Sequence, residues 1–243
     1  MPYLIAAGVA LFIGILLWLY FRRIDPATVN GYVCKGWCES QMTGCTATST
    51  HPTRVPEQPV NTYTNLMYAA AGVVVFLQQG TEPSFVLVVA MVFLCIGSAA
   101  YHGLSTRRSG RLDVAGMYVV FGGLAGYAIA MALGASVQLS AIVMLAVGVA
   151  AGTAGYLVKG WYREGVNYKI AIFLIVPYLL LVEDIIVHGH TGLILPTVLS
   201  FGLFAIAMLA WILDKRCVLH NWGHGIWHLL TGAAIAVLFT AIQ

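Results

Sequence analysis

Near its carboxyl end the chain reads His220-Asn-Trp-Gly-His224-Gly-Ile-Trp-His228, and His224 and His228 stand four residues apart at the start of an apolar run, 223–241. On a helix, positions four apart lie on one face. This is the spacing at which a helix presents two imidazoles to one zinc ion. Ser98 and His102 repeat the spacing at the end of another apolar run, 84–103, and Asp113 begins the next one, 112–132. The turn between those runs brings their helices back side by side. Three imidazoles, a carboxylate and a hydroxyl are thus predicted to meet at one depth in the membrane. Singly, each has a plainer reading: interfacial histidines, a small serine for close helix packing, an aspartate that caps its helix or pairs with Arg111. Together they match a catalytic zinc site, with three protein ligands and a position kept for water. A neighbouring carboxylate would move the water's proton.

The elements that must position these residues are membrane-spanning helices. The chain has 243 residues, 60% of them hydrophobic and 9% charged, with mean hydropathy +0.87. Soluble domains carry about 25% charge. Eight apolar runs, 3–20, 61–79, 84–103, 112–132, 137–158, 170–188, 192–213 and 223–241, have the length of spanning helices rather than barrel strands. The fold class is all-α, a polytopic membrane helical bundle. The first run lacks a basic flank before it and a small-residue cleavage site, and Phe21-Arg22-Arg23 follows it, so it reads as an anchor helix and not a signal peptide. The organisation predicted is an anchor over 1–22, a polar loop over 23–60 and a seven-helix core over 61–243.

All twelve Lys and Arg residues fall on alternate loops. They are Arg22, Arg23, Lys35 and Arg54; Arg107, Arg108 and Arg111; Lys159, Arg163 and Lys169; and Lys215 and Arg216. The positive-inside rule puts that side in the cytoplasm, with both termini outside and the histidine site toward the cytoplasmic face. No basic face or aromatic-basic interleaving suggests nucleic acid.

Other polar groups lie away from the main site. Glu183, Asp184, His188 and His190 lie toward the outer end of the sixth run. Adjacent residues diverge by about 100° on a helix, so this group reads as a solvated vestibule rather than a proton relay or second cation site. Cys34, Cys38 and Cys45 with His51 do not have a strong zinc spacing, and thiols in a cytoplasmic loop are expected to be reduced. Asn61 and Asn65 are expected to cap the second run and hydrogen-bond between helices.

Gly97-Ser98-Ala99-Ala100-Tyr101-His102, then Leu112-Asp113, then His224-Gly-Ile-Trp-His228-Leu-Leu-Thr-Gly resembles the alkaline ceramidases. These belong to a superfamily of seven-helix intramembrane hydrolases that includes the adiponectin receptors. Trp37-Cys38-Glu39 is similar to the amino-terminal WCE motif of the ceramidases, and Asn61-Thr62-Tyr63-Thr64-Asn65-Leu66 to their NTxxNL run. The resemblance spans roughly Gly36 to Phe239.

The resemblance implies that His102, His224 and His228 bind Zn²⁺, that Asp113 activates water, and that Ser98 helps hold the developing oxyanion. The implied reaction is hydrolysis of a ceramide amide to a sphingoid base and a fatty acid. A Ca²⁺ site is also implied, with Glu39 and Glu57 as candidates. Here Gly36 stands where an Asp precedes the Trp, Glu39 and Gln41 match two ligand positions, and the last acidic position falls on Gln58. The first apolar run is an addition to the seven-helix pattern. In the animal enzymes the zinc end is assigned to the lumen, so the charge count implies an inverted core here. Three rivals remain open: an ester-cleaving phospholipase on the same site, a receptor or assembly protein with a structural zinc closed by His220, and a transporter using Glu183, Asp184 and His188.

Overall fold

A computed structural model describes residues 1–32, 39, 49–157, 168–220 and 222–242. Inside a bilayer no water meets backbone N–H and C=O groups, so apolar runs this long must satisfy them internally as helices. Eight long helices result. They are α1 (Pro2–Phe21), α2 (Pro59–Gln79), α3 (Glu82–Leu104), α4 (Arg107–Ala132), α5 (Val137–Leu157), α6 (Tyr168–His188), α7 (Ile194–Asp214) and α8 (Gly223–Ile242). The α2 helix has two segments that meet at Asn65. Among the described residues, seven helices are long and apolar enough to cross a membrane, and no strand is present. The chain is an integral membrane protein.

Helix α4 is central: 78% of its apolar window is buried, against 11% for α1. Composition explains the contrast. On α1, Leu4, Leu11, Phe12, Leu16 and Trp18 are exposed and suited to lipid contact. On α4, glycines let neighbours approach closely, as small residues do in membrane interfaces. A Cβ at Gly116 would lie 2.8 Å from the Leu94 Cα of α3, and one at Gly122 would lie 2.7 Å from the Ala151 Cβ of α5. Buried hydroxyls tie the remaining helices together: Tyr178 of α6 bonds Ser200 of α7 at 2.6 Å, and Ser200 Oγ donates to the Ala234 carbonyl of α8 at 2.9 Å.

One boundary differs from the sequence expectation. The turn between α3 and α4 takes two residues, Ser105 (φ 51°) and Thr106, and not the longer stretch 103–112. Thr106 and Ser109 form a reciprocal capping box that starts α4 at Arg107. Asp113 therefore lies in the second turn of α4, beyond the positions an N-cap can occupy, and the capping role considered for it is excluded.

Candidate metal centre

The three histidines converge. His102, His224 and His228 are all buried, and one ring nitrogen from each lies within 4.8 Å of the others. The Nε2 atoms of His102 and His224 are 3.1 Å apart. Two nitrogens bound tetrahedrally to one zinc at ordinary bond lengths would be about 3.3 Å apart. The ring centroids lie 4.6 Å apart for His224 and His228, 4.7 Å for His102 and His224, and 5.0 Å for His102 and His228.

Local chemistry fixes how two of these rings present themselves. The loop before α2 is tied to the end of α3 by two backbone bonds, Glu57 N to Gly103 O at 3.0 Å and Gln58 N to His102 O at 3.1 Å. They bring the Gln58 side chain to His102, whose Nδ1 lies 2.8 Å from Gln58 Oε1. The same oxygen accepts from Asn61 Nδ2 at 2.9 Å, which orients the amide with its oxygen toward the histidine. On α2, the Thr64 hydroxyl donates to the Val60 carbonyl at 2.9 Å, so its oxygen is left to accept from His228 Nδ1 at 3.0 Å. Both Nδ1 atoms are therefore donors, which assigns the lone pairs of His102 and His228 to their Nε2 atoms, and the His102 Nε2 faces that of His224. Metal-bound histidines are held in this way by their outer-shell partners.

His224 is positioned through its backbone. Its N–H donates to Asp214 Oδ1 at 3.1 Å, so the carboxylate at the end of α7 caps α8. Two glycines permit the approach. A Cβ at Gly223 would lie 2.7 Å from the Asp214 Cβ, and one at Gly225 would lie 3.1 Å from Val60 Cγ1 and 3.2 Å from Thr64 Cγ2. Tyr68 completes the wall, its ring edge-on to His228 at 5.9 Å and its hydroxyl 2.8 Å from Thr231 Oγ1.

Ser98 and Asp113 are both buried. At 1.5 Å per residue each lies about 9 Å inside its helix end. Gly97 lets the two helices meet there, since a Cβ on it would lie 3.0 Å from Leu112 O. Asp113 is also within electrostatic reach of Tyr68. The donor set of three imidazoles, two with fixed tautomers, fits a borderline transition-metal ion such as zinc.

The other predicted groups fall elsewhere. Glu39 is buried, and its carboxylate accepts from Val60 N at 2.9 Å and Asn61 N at 3.1 Å, so it caps α2. Burial raises its carboxyl above the ordinary range, against the lowering effect of those two bonds. Glu57 is buried too. One of its oxygens accepts from the Tyr32 hydroxyl at 2.8 Å, and the other takes no hydrogen bond. Among the described residues, the histidine triad is the one group of three or more His, Cys, Asp or Glu ligands that could share an ion. Asn65 Nδ2 donates to Asn61 O at 2.7 Å, a bond within α2 and not between helices. His220 is exposed in the turn before α8 and does not join the triad. His51 Nδ1 lies 3.2 Å from Val29 O. Cys34, Cys38, Cys45, Gly36, Trp37 and Gln41 lie outside the described residues. Cys217, in the turn after α7, is disulfide-bonded, which departs from the reduced thiols that a cytoplasmic placement of this side implies.

At the other end of the bundle, Asp184 accepts from His188 Nδ1 at 3.0 Å and His190 Nδ1 at 2.8 Å, and all three side chains are substantially solvent-accessible. Glu183 is exposed.

No protein-family model, curated protein or solved structure matches this chain.

Proposed function

We propose that this protein is a zinc-dependent intramembrane hydrolase that cleaves the amide bond of ceramide-like lipids to a sphingoid base and a fatty acid. The observation that carries the reading is the buried triad His102, His224 and His228 with the Nδ1 atoms of His102 and His228 hydrogen-bonded to Gln58 and Thr64. The choice of substrate rests on the likeness of the motifs to the alkaline ceramidases. Zinc held by these three rings would supply Lewis acidity toward the carbonyl and lower the pKa of water toward about 7.

The chain's own residues account for the rest of the reaction. Asp113 takes a proton from the attacking water and delivers it to the nitrogen as the C–N bond breaks. The Ser98 hydroxyl donates to the carbonyl oxygen as negative charge develops there. The water oxygen ends in the fatty acid, and the proton leaves with the amine. Gln58 and Thr64 keep His102 and His228 in the binding tautomer throughout.

The test is a lipid panel in vesicles containing the full chain: ceramide, diacyl phosphatidylcholine and triacylglycerol. Release of sphingoid base from ceramide, abolished in Asp113→Asn, is the expected result. Cleavage confined to the ester lipids would assign a phospholipase instead.

For orientation, the charges favour a cytoplasmic site, with every Lys and Arg on that side. The Cys217 disulfide belongs to an oxidising compartment and opposes this placement. A membrane-impermeant maleimide applied to intact cells after mild external reduction decides it. Cys217 should label only after permeabilisation, and labelling in intact cells would invert the topology.

A further inference from the structure

An apolar groove of about 560 Å³ lies between α1, α2 and the start of α8. Its walls include Ala10 of α1, Tyr63, Thr64, Met67 and Ala70 of α2, and Leu229 of α8. Resting on the hydrolase reading above, we infer that this groove holds one hydrocarbon chain of the lipid substrate, with α1 as its outer wall.

Three observations support this occupant. The groove borders the wall of the metal centre: Thr64 lines it, and the same residue's hydroxyl oxygen lies 3.0 Å from His228 Nδ1. Thr64 would stand between a chain lying here and the His228 ring. Second, the lining is almost wholly aliphatic and aromatic and belongs to membrane-spanning segments, so a hydrocarbon chain suits it and a polar ligand does not. The volume falls in the range of ordinary ligand pockets, about 300–1,000 Å³. Third, Trp222 lines the groove at its basic end and is 54% exposed. A half-exposed indole at that level suits the boundary where a lipid's polar group sits.

Helix α1 is anchored so that the groove stays open beside it. Its Gly14 packs on Leu66, where a Cβ would meet the Leu66 side chain at 3.0 Å. At the basic end Phe21 fills the space over Gly103, where a Cβ would lie 2.4 Å from its ring. Ala10, one turn before Gly14, faces the groove with a single methyl. A second apolar groove of about 500 Å³ runs between α3, α4 and α5, but no member of the histidine hydrogen-bond network lines it.

The test uses the full chain in phosphatidylcholine vesicles with a ceramide analogue carrying a photoreactive diazirine at the end of its acyl chain. After irradiation, labelled peptides are mapped by mass spectrometry. Labels are expected on Pro2–Phe21 and Pro59–Gln79. Ala10→Trp and Ala70→Trp, which fill the groove without touching the histidines, should each cut labelling by roughly tenfold, the scale on which an apolar pocket discriminates by shape. Both should keep the wild-type metal content, which shows that they fold. Labels concentrated on α3, α4 and α5 would overturn the inference. So would equal labelling by a diazirine phosphatidylcholine, which would reduce the groove to ordinary bilayer contact. Unchanged labelling in filled variants that dissociate a dimer would make it an interface between copies. If amide cleavage occurs while labels fall elsewhere, the groove fails alone. If labels map to the groove but no amide is cleaved, the hydrolase reading fails alone.

Discussion

The bundle carries a histidine cluster at each end, and the two are built on opposite terms. At the basic end, His102, His224 and His228 are buried, and the Nδ1 atoms of His102 and His228 meet the neutral oxygens of Gln58 and Thr64. At the other end, His188 and His190 are exposed and both bond the Asp184 carboxylate. A carboxylate in solvent needs no further cation, and ion pairs of that kind contribute little. The Gln58 and Thr64 oxygens fix which ring nitrogen carries the proton and so leave the other nitrogen of each ring as the one able to bind an ion. Residue type is shared between the clusters. Burial and the convergence of three rings separate a candidate metal centre from a solvated vestibule.

Mutations should sharpen this contrast. Thr64→Val and Gln58→Leu keep the shape of each side chain but remove the acceptor for a histidine Nδ1. Each is expected to weaken zinc binding about 10- to 100-fold, measured by competition with a chromophoric chelator. Unaltered affinity in both would mean that the hydrogen bonds do not prepare the rings. In contrast, Asp184→Asn and His188→Ala should leave both zinc affinity and lipid hydrolysis at wild-type levels. A metal loss in either variant would join the two ends functionally and revive a polar path across the membrane.

Much of this arrangement was legible from the chain alone, and the reasons differ by residue. His224 and His228 announce themselves because two imidazoles at helical spacing contrast with an apolar run. His102 does so for the same reason, one turn from Ser98. The start of α4 was not legible from hydropathy, because Arg107-Arg108-Ser109-Gly110-Arg111 is too polar to extend an apolar window. The signal that would have found it is the capping pair Thr106 and Ser109. Gln58, Thr64 and Asp214 were missed as members of the site. Thr64 reads as an ordinary small polar residue of a helix, and Asp214 before Lys215-Arg216 reads as part of a solvated helix end. Their roles come from long-range contacts, with Thr64 and His228 164 positions apart in sequence, and local pattern does not encode them. In the sequence Gln58 stands only as the occupant of an acidic position in a motif. The structure makes it the partner of His102 instead.

The central claim is that three buried histidines hold one metal ion. It is tested most directly by elemental mass analysis of detergent-purified wild-type protein and His228→Ala, both prepared without chelators. About one zinc per chain in the wild type, with most of it lost in the variant, is the predicted result. Wild-type protein free of any transition metal, or zinc retained in full by His228→Ala, would contradict the account and return the triad to a packed cluster of interfacial rings.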